Sequence, residues 1–232
     1  MKIAIMQPYF LPYIGYFQLM NAVDKFVVLD DVNYINKGWI NRNNILVNGK
    51  ANLFAIPLKE ASQNKLINEI SVVDEAKWRT KLLKTIELSY KKAPFFAIVY
   101  PMIEEIINSG NSKISDLNYY SLVRINNYLD LNTEIVSTSS IYKNSDLKAE
   151  KRIIDICLKE HASIYINPIG GTEIYDKNSF TDKKLELFFI KSKEIKYIQF
   201  NNDFVPWLSI IDVMMFNSLE TIKSFLEQYT LV

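Results

Sequence analysis

The sequence predicts an α/β protein: a Rossmann-like parallel sheet flanked by helices, with a mixed C-terminal part. Short apolar runs of strand length alternate with amphipathic stretches of helical period, which is the pattern of βαβ units. The first strand passes through a proline-containing loop to a glycine at a helix start and then to a second strand. The chain of 232 residues, 49% hydrophobic, can also bury a sizeable core without disulfide staples.

Residues 2–6 form the first strand, a buried apolar run stopped by Pro8 and Pro12, which cannot donate to a ladder. From Gly15 the period becomes helical, with Phe17, Met20 and Val23 on one face, ending near Asp24 before a strand at 25–29. Residues 30–44 are too polar for a strand core and too aromatic for a plain linker, and they predict an ordered surface loop. A hairpin follows, 44–47 with 51–57, around the Asn48-Gly49 turn. Helices are expected at 74–89, with Asp74 as N-cap, and at 93–108. Further helices at 115–129 and 147–160 lie beside short strands at 133–136 and 163–166. The tail predicts a strand at 187–190, a mixed segment at 197–206, an apolar helix from Ser209 and a last helix at 219–229. The Ser-, Thr- and Asn-rich stretch 137–146 divides a Rossmann-like core, 1–146, from a C-terminal α/β part, 147–232, packed on it as one compact unit.

Composition removes several function classes. Lys and Arg number 27 against 26 Asp and Glu, a balance that argues against wholesale nucleic-acid binding and leaves room only for a local basic patch. No apolar run reaches the roughly 18–20 residues of a membrane span, and the N-terminal run is too short for a signal-peptide core. The single cysteine, Cys157, forms no internal bridge, which favours a cytoplasmic protein. His161 is the one histidine, so histidine-based triads and multi-histidine zinc sites are unsupported. P-loop, GxSxG and GxGxxG patterns are lacking. Oligomeric state is not legible.

Three constellations offer chemistry. The loop Gln7-Pro8-Tyr9-Phe10-Leu11-Pro12-Tyr13-Ile14-Gly15-Tyr16 lies where an α/β sheet binds ligands, and free N–H groups at the Gly15 helix start suit phosphate or carboxylate. Tyr9, Phe10 and Tyr13 equally serve as core. The second loop joins Asp30 and Asp31, suited to Mg²⁺, a sugar hydroxyl or an amine, with Lys37, Trp39, Asn41, Arg42 and Asn43. Arg42 offers a planar fork for an anion and Trp39 a flat face for a sugar or base. The third, Phe204 to Asp212, holds Ser209 as an N-cap and Asp212 either as its capping-box acid or as a base on a buried helix. Gly170-Gly171-Thr172 either borders a phosphate or closes a loop.

Met6 to Phe17, Asp24, Asp30-Asp31-Val32, Trp39 with Asn41-Arg42-Asn43, and Leu208 to Asp212 occur in an order that resembles the WbqC-like family. Gln7, Pro8, Tyr13, Gly15, Tyr16, Asp30, Asp31, Trp39, Arg42, Asn43, Ser209 and Asp212 stand at its motif positions. Tyr13 and Ile40-Asn41 depart modestly from the Trp and Gln expected there. The resemblance implies a bacterial cytoplasmic protein of surface-polysaccharide, or O-antigen, synthesis. A fainter likeness links Tyr13-Ile14-Gly15-Tyr16 to the HxGH region of nucleotidyltransferases and pantothenate-synthetase-like ligases, with tyrosines for both histidines and Ser139 in the place of a phosphate loop.

Together these imply a transferase or ATP-dependent amide ligase. It would join an activated amino acid or acyl group to a nucleotide-linked amino sugar, with ATP and Mg²⁺ as cofactors. In this expectation Asp30 and Asp31 hold Mg²⁺ or the amine, Arg42 and Lys37 neutralise phosphate, Tyr13 and Tyr16 line the nucleotide site, and Asp212 accepts a proton. Gln7, Tyr9, Trp39, Asn41, Asn43 and Ser209 complete the binding surface. Nucleotidyl transfer to a sugar phosphate and a non-catalytic glycan or nucleotide-sugar binding protein are the alternatives.

Overall fold

A computed structural model describes residues 1–201 and 203–232; Asn202, within the mixed segment expected at 197–206, lies outside them. In chain order the elements are β1 (Lys2–Met6), α1 (Ile14–Asn21), β2 (Lys25–Val28), β3 (Arg42–Val47), β4 (Lys50–Ala55), β5 (Leu58–Lys59), β6 (Ser71–Val72), α2 (Ala76–Tyr90), α3 (Phe96–Ile107) and α4 (Ile114–Tyr128). They continue as β7 (Glu134–Val136), α5 (Ala149–Lys159), β8 (Ile164–Pro168), α6 (Lys177–Thr181), β9 (Glu186–Ser192), α7 (Ile210–Phe216), α8 (Leu219–Leu226) and β10 (Tyr229–Leu231).

The central sheet has the order β10-β9-β8-β1-β2-β7, parallel except for the antiparallel edge strand β10. Strands on both sides of residue 146 enter it. The chain winds outward from β1 through β2 to β7, then returns to β1's other side with β8 and β9. Winding therefore reverses between β1 and β8, the switch point beyond whose carboxyl ends open α/β sheets bind ligands.

Alternation along the strands explains the two-sided core. Ala4, Phe26, Val28 and Ile166 face one apolar cluster with residues of α1 and α4, while Ile3, Ile5, Val27 and Tyr165 face another with Ile153 and Ile156 of α5 and Phe180 of α6. Cys157 lies in the second cluster, and burial pushes its thiol up to about 12, leaving it an inert core residue.

Local differences from the sequence reading have local causes. The hairpin begins at Arg42 rather than Asn44, because Arg42 and Asn43 pair with Ala55 and Phe54, and its Asn48-Gly49 turn is left-handed at both residues. Glu75, not Asp74, is the N-cap of α2; Asp74 lies 3.5 Å from Arg79 instead. The last helix stops at Leu226, and Tyr229–Leu231, with its β-branched Thr230, pairs with β9. Unsignalled in the sequence were β5, β6, α6 and the 3₁₀ turns Ser139–Tyr142 and Ile169–Glu173. In the last of these Gly171 packs so tightly that a Cβ would strike Asn167, whereas Gly170 faces open space.

Candidate functional site

Three loops meet at the carboxyl end of β1. The first, 7–13, has its carbonyls pinned from behind. Tyr16 Oη donates to the Gln7 carbonyl (2.9 Å), Asn118 Nδ2 to Pro8 (2.9 Å), Asn43 Nδ2 to Leu11 (2.8 Å), Ser209 Oγ also to Leu11 (2.6 Å), and the Ile210 amide to Pro12 (2.8 Å). With these carbonyls satisfied inward, the rings of Tyr9 and Tyr13 line the cleft in front. The second loop, 36–41, is tied to the first where Phe10 N donates to the Trp39 carbonyl (3.3 Å) and Asn118 Nδ2 to the Ile40 carbonyl (2.8 Å). Arg42 donates to the carbonyls of Lys37 and Gly38 and lies 5.7 Å from the Trp39 ring centroid. The third loop, 204–209, ends where Ser209 caps α7 and brings Trp207 against Tyr13, ring centroids 5.9 Å apart.

Tyr9, Pro12, Tyr13, Trp39, Asn43 and Trp207 thus wall one cleft of about 200 Å³. Trp207 is 69% exposed and Trp39 42%, large apolar surfaces left uncovered at the carboxyl edge of the sheet. Each loop also holds a non-glycine residue in the left-handed region: Leu11 (φ 45°), Lys37 (φ 60°) and Trp207 (φ 61°). Such backbone costs about 1 kcal/mol or more per residue.

A second group lies at the ends of β2 and β7. Asp30 Oδ1 accepts from Thr138 Oγ1 (2.7 Å) and the Ser139 amide (3.1 Å), and burial pushes its carboxyl above the ordinary range. Asp31 Oδ1 accepts from Ser139 Oγ and from Arg152, whose Nη1 also reaches the Asp31 carbonyl (3.1 Å). Arg152 Nε in turn donates to Asn144 (3.1 Å).

A third group surrounds Asp212. Its buried carboxylate accepts from Tyr90 Oη (2.8 Å), Tyr197 Oη (2.6 Å) and Gln199 Nε2 (2.6 Å), and burial pushes its carboxyl upward. Its side chain does not complete a capping box with Ser209; it fastens α7 to α2 and to the segment leading to Trp207.

Of the sequence-derived residues, Tyr9, Tyr13, Trp39 and Asn43 come together in the cleft, while Asp31, Arg42 and Asp212 sit in three separate hydrogen-bond groups. Tyr16 Oη, Asn43 Nδ2 and Ser209 Oγ donate to carbonyls of the first loop. Asn41 is held by Tyr34 Oη (2.9 Å) and the Ile56 carbonyl (2.8 Å), and Lys37 is exposed. Gln7 is half-buried beside the switch point. Residues without a sequence signal are Asn118, Arg152, Tyr90 and Tyr197, since each acts through a partner distant in the chain. Trp207, beside Pro206 ahead of a capped helix, carried a readable cue: an aromatic residue outside any apolar period.

The fit of the expected cofactors follows from the same contacts. The ring of Tyr13 covers Gly15, so that a Cβ there would lie 2.7 Å from Tyr13 Cζ, and the Ser139 donors point at carboxylates. Neither place is an open phosphate cradle. Asp31 is already neutralised by Arg152, and among the described residues no group of three or more His, Cys, Asp or Glu is arranged to hold a metal.

The profile described as the WbqC-like protein family matches residues 7–224. The chain belongs to the WbqC-like protein family. All three loops of the cleft fall inside the matched span. This WbqC-like chain is also 26% identical over 216 residues to the uncharacterized protein Rv1507c of Mycobacterium tuberculosis, covering 92% of each chain. No solved structure matches it. Among the described residues no helix is long and apolar enough to cross a membrane.

Proposed function

We propose that the protein binds a nucleotide-linked amino sugar with its ring in the Tyr9–Tyr13–Trp39–Trp207 cleft and forms an amide on the sugar amine from an activated amino acid or acyl group, a step of surface-polysaccharide synthesis. The observation that carries this reading is the cleft itself. Flat aromatic faces complement the C–H faces of a pyranose. At roughly 10–15 Å³ of such space per water-sized atom, a cleft of about 200 Å³ matches one substituted sugar ring. In the reaction the neutral amine nitrogen attacks the acyl carbon, the bond to the leaving group breaks with its electron pair, and one proton leaves the nitrogen.

A second reading, binding without chemistry, is favoured by the lining of the cleft, since none of its six residues is a carboxylate, histidine or lysine. The separating experiment is a mass-spectrometric screen of purified protein with nucleotide-linked amino sugars and pooled amino acids, with and without Mg-ATP. A sugar mass raised by an aminoacyl or acyl residue supports the transfer. Saturable sugar binding with no mass change leaves the binding reading. Trp207→Ala, at an exposed position, should weaken sugar binding at least tenfold, about 1.4 kcal/mol, with an unchanged melting temperature. Unaltered affinity in that variant would remove the cleft from the function.

A further inference from the structure

A smaller cavity of about 60 Å³ adjoins the cleft, between the start of α1, the residues after β9 and the loop leading into α7. Its wall is apolar: Ile14, Ile195, Phe204, Pro206, Leu208 and Val213 contribute, and the Tyr197 ring closes one side while its hydroxyl is spent on Asp212. Ser192, Lys193 and Glu194 supply its polar edge. Tyr13 and Trp207 line both spaces, so the two cavities share this aromatic pair as a partition. Gly15 allows the Tyr13 ring to lie flat against the first turn of α1, since any Cβ would displace it.

We propose that this cavity is an acyl subsite, receiving a short apolar chain attached to the amine of a sugar held in the cleft; the inference rests on the sugar reading above. Size and lining select the occupant. With roughly 10–15 Å³ of such space admitting one water-sized group, about 60 Å³ admits about four to six, too few for a second sugar ring and enough for a butanoyl group. Aliphatic walls favour such a chain over a polar amino-acid side chain, which would lose its water here. A chain leaving the sugar at the Tyr13–Trp207 partition enters the cavity directly. Tyr13 and Trp207 then act as specificity-determining residues, touching the ring on one side and the chain on the other.

The test uses two independent probes and a series. Sodium butanoate alone should shift the NMR methyl resonances of Ile14, Ile195 and Val213 saturably, and methyl glucosaminide alone should shift the indole N–H resonances of Trp39 and Trp207. Among N-acylated methyl glucosaminides, the butanoyl derivative should bind at least tenfold more tightly than the free amine, and the octanoyl derivative should lose that gain. Ile195→Phe, filling the cavity from a half-buried position, should bring the butanoyl derivative down to the affinity of the unacylated glycoside. Silent methyls with butanoate, together with no gain from the butanoyl group, would overturn the acyl subsite while the indole shifts preserve the sugar reading. Moving methyls with silent indoles would instead overturn the sugar cleft and support the cavity as an acyl site.

Discussion

Arg152 shows how much a single buried charge decides. Its side chain is 6% exposed and that of Asp31 9%, so the pair has left water and each ion depends on the other. Arg152→Ala leaves the Asp31 carboxylate buried beside Asp30 without a cation, a change that costs about 3–5 kcal/mol. The expected outcome is a matching loss in urea-denaturation stability, with Arg152→Lys recovering only part of it because an ammonium lacks the planar fork by which Nε reaches Asn144 while Nη1 and Nη2 reach Asp31. A loss under about 1 kcal/mol would mean that the pair is effectively solvated. In the sequence, Asp30-Asp31 stood out as a metal or amine site, since adjacent carboxylates after a strand are conspicuous. Arg152 is one of many charged residues on an amphipathic helix, and nothing local marks it as the partner of a residue 121 positions earlier.

At the scale of elements, α4 acts as a backstop for the cleft. Asn118 is fully buried on it, and one amide group bridges the carbonyls of Pro8 and Ile40, joining the two loops that carry Tyr9 and Trp39. Asn118→Ala leaves both carbonyls without that donor, at a cost of about 1–3 kcal/mol. It should lower the melting temperature and also weaken ligand binding, while Asn118→Asp, acceptor in place of donor, should do worse. Binding unchanged after Asn118→Ala would show that the loops hold their places without the bridge. Strands and long helices were legible because their periods are local: β1 begins and ends where its apolar run does, and α4 lies within a residue of its expected bounds. Short pieces such as β5, β6 and β10 were not, since two or three residues acquire a strand conformation only when a partner edge is presented.

For the whole molecule, two buried acids and a half-buried one set opposing pH dependences. Burial raises the carboxyls of Asp30 and Asp212 above their ordinary 3.8, so each contributes stability that is complete at low pH and is lost as pH rises through its folded value. Glu160 runs the other way. Burial pushes it up, but hydrogen bonds from Lys25 and Tyr142 outweigh this and hold it below its ordinary 4.5, so its contribution is present at higher pH and lost on acidification. Asp212→Asn isolates one of these. The stability advantage of the parent over this variant should shrink as pH rises from 4 to 7, measured by urea denaturation across that range. An advantage that grows instead would show that the three donors favour the ionised carboxylate more than burial opposes it.

The sequence by itself determined the family, the α/β class and the places of the principal strands and helices, together with the contiguous motif of the loop after β1. All of these are written in local periodicity or contiguous motifs. Tertiary structure alone decided the strand order with its reversal between β1 and β8, the partition of the polar residues into separate groups, and the meeting of Tyr9, Tyr13, Trp39 and Trp207 in one cleft. The physical reason is range. A periodic pattern reports which face of an element is buried, whereas the partner covering that face is chosen by packing among segments far apart in the chain. Trp207 therefore meets Tyr13, 194 residues earlier, only after the sheet has placed β8 between β1 and β9.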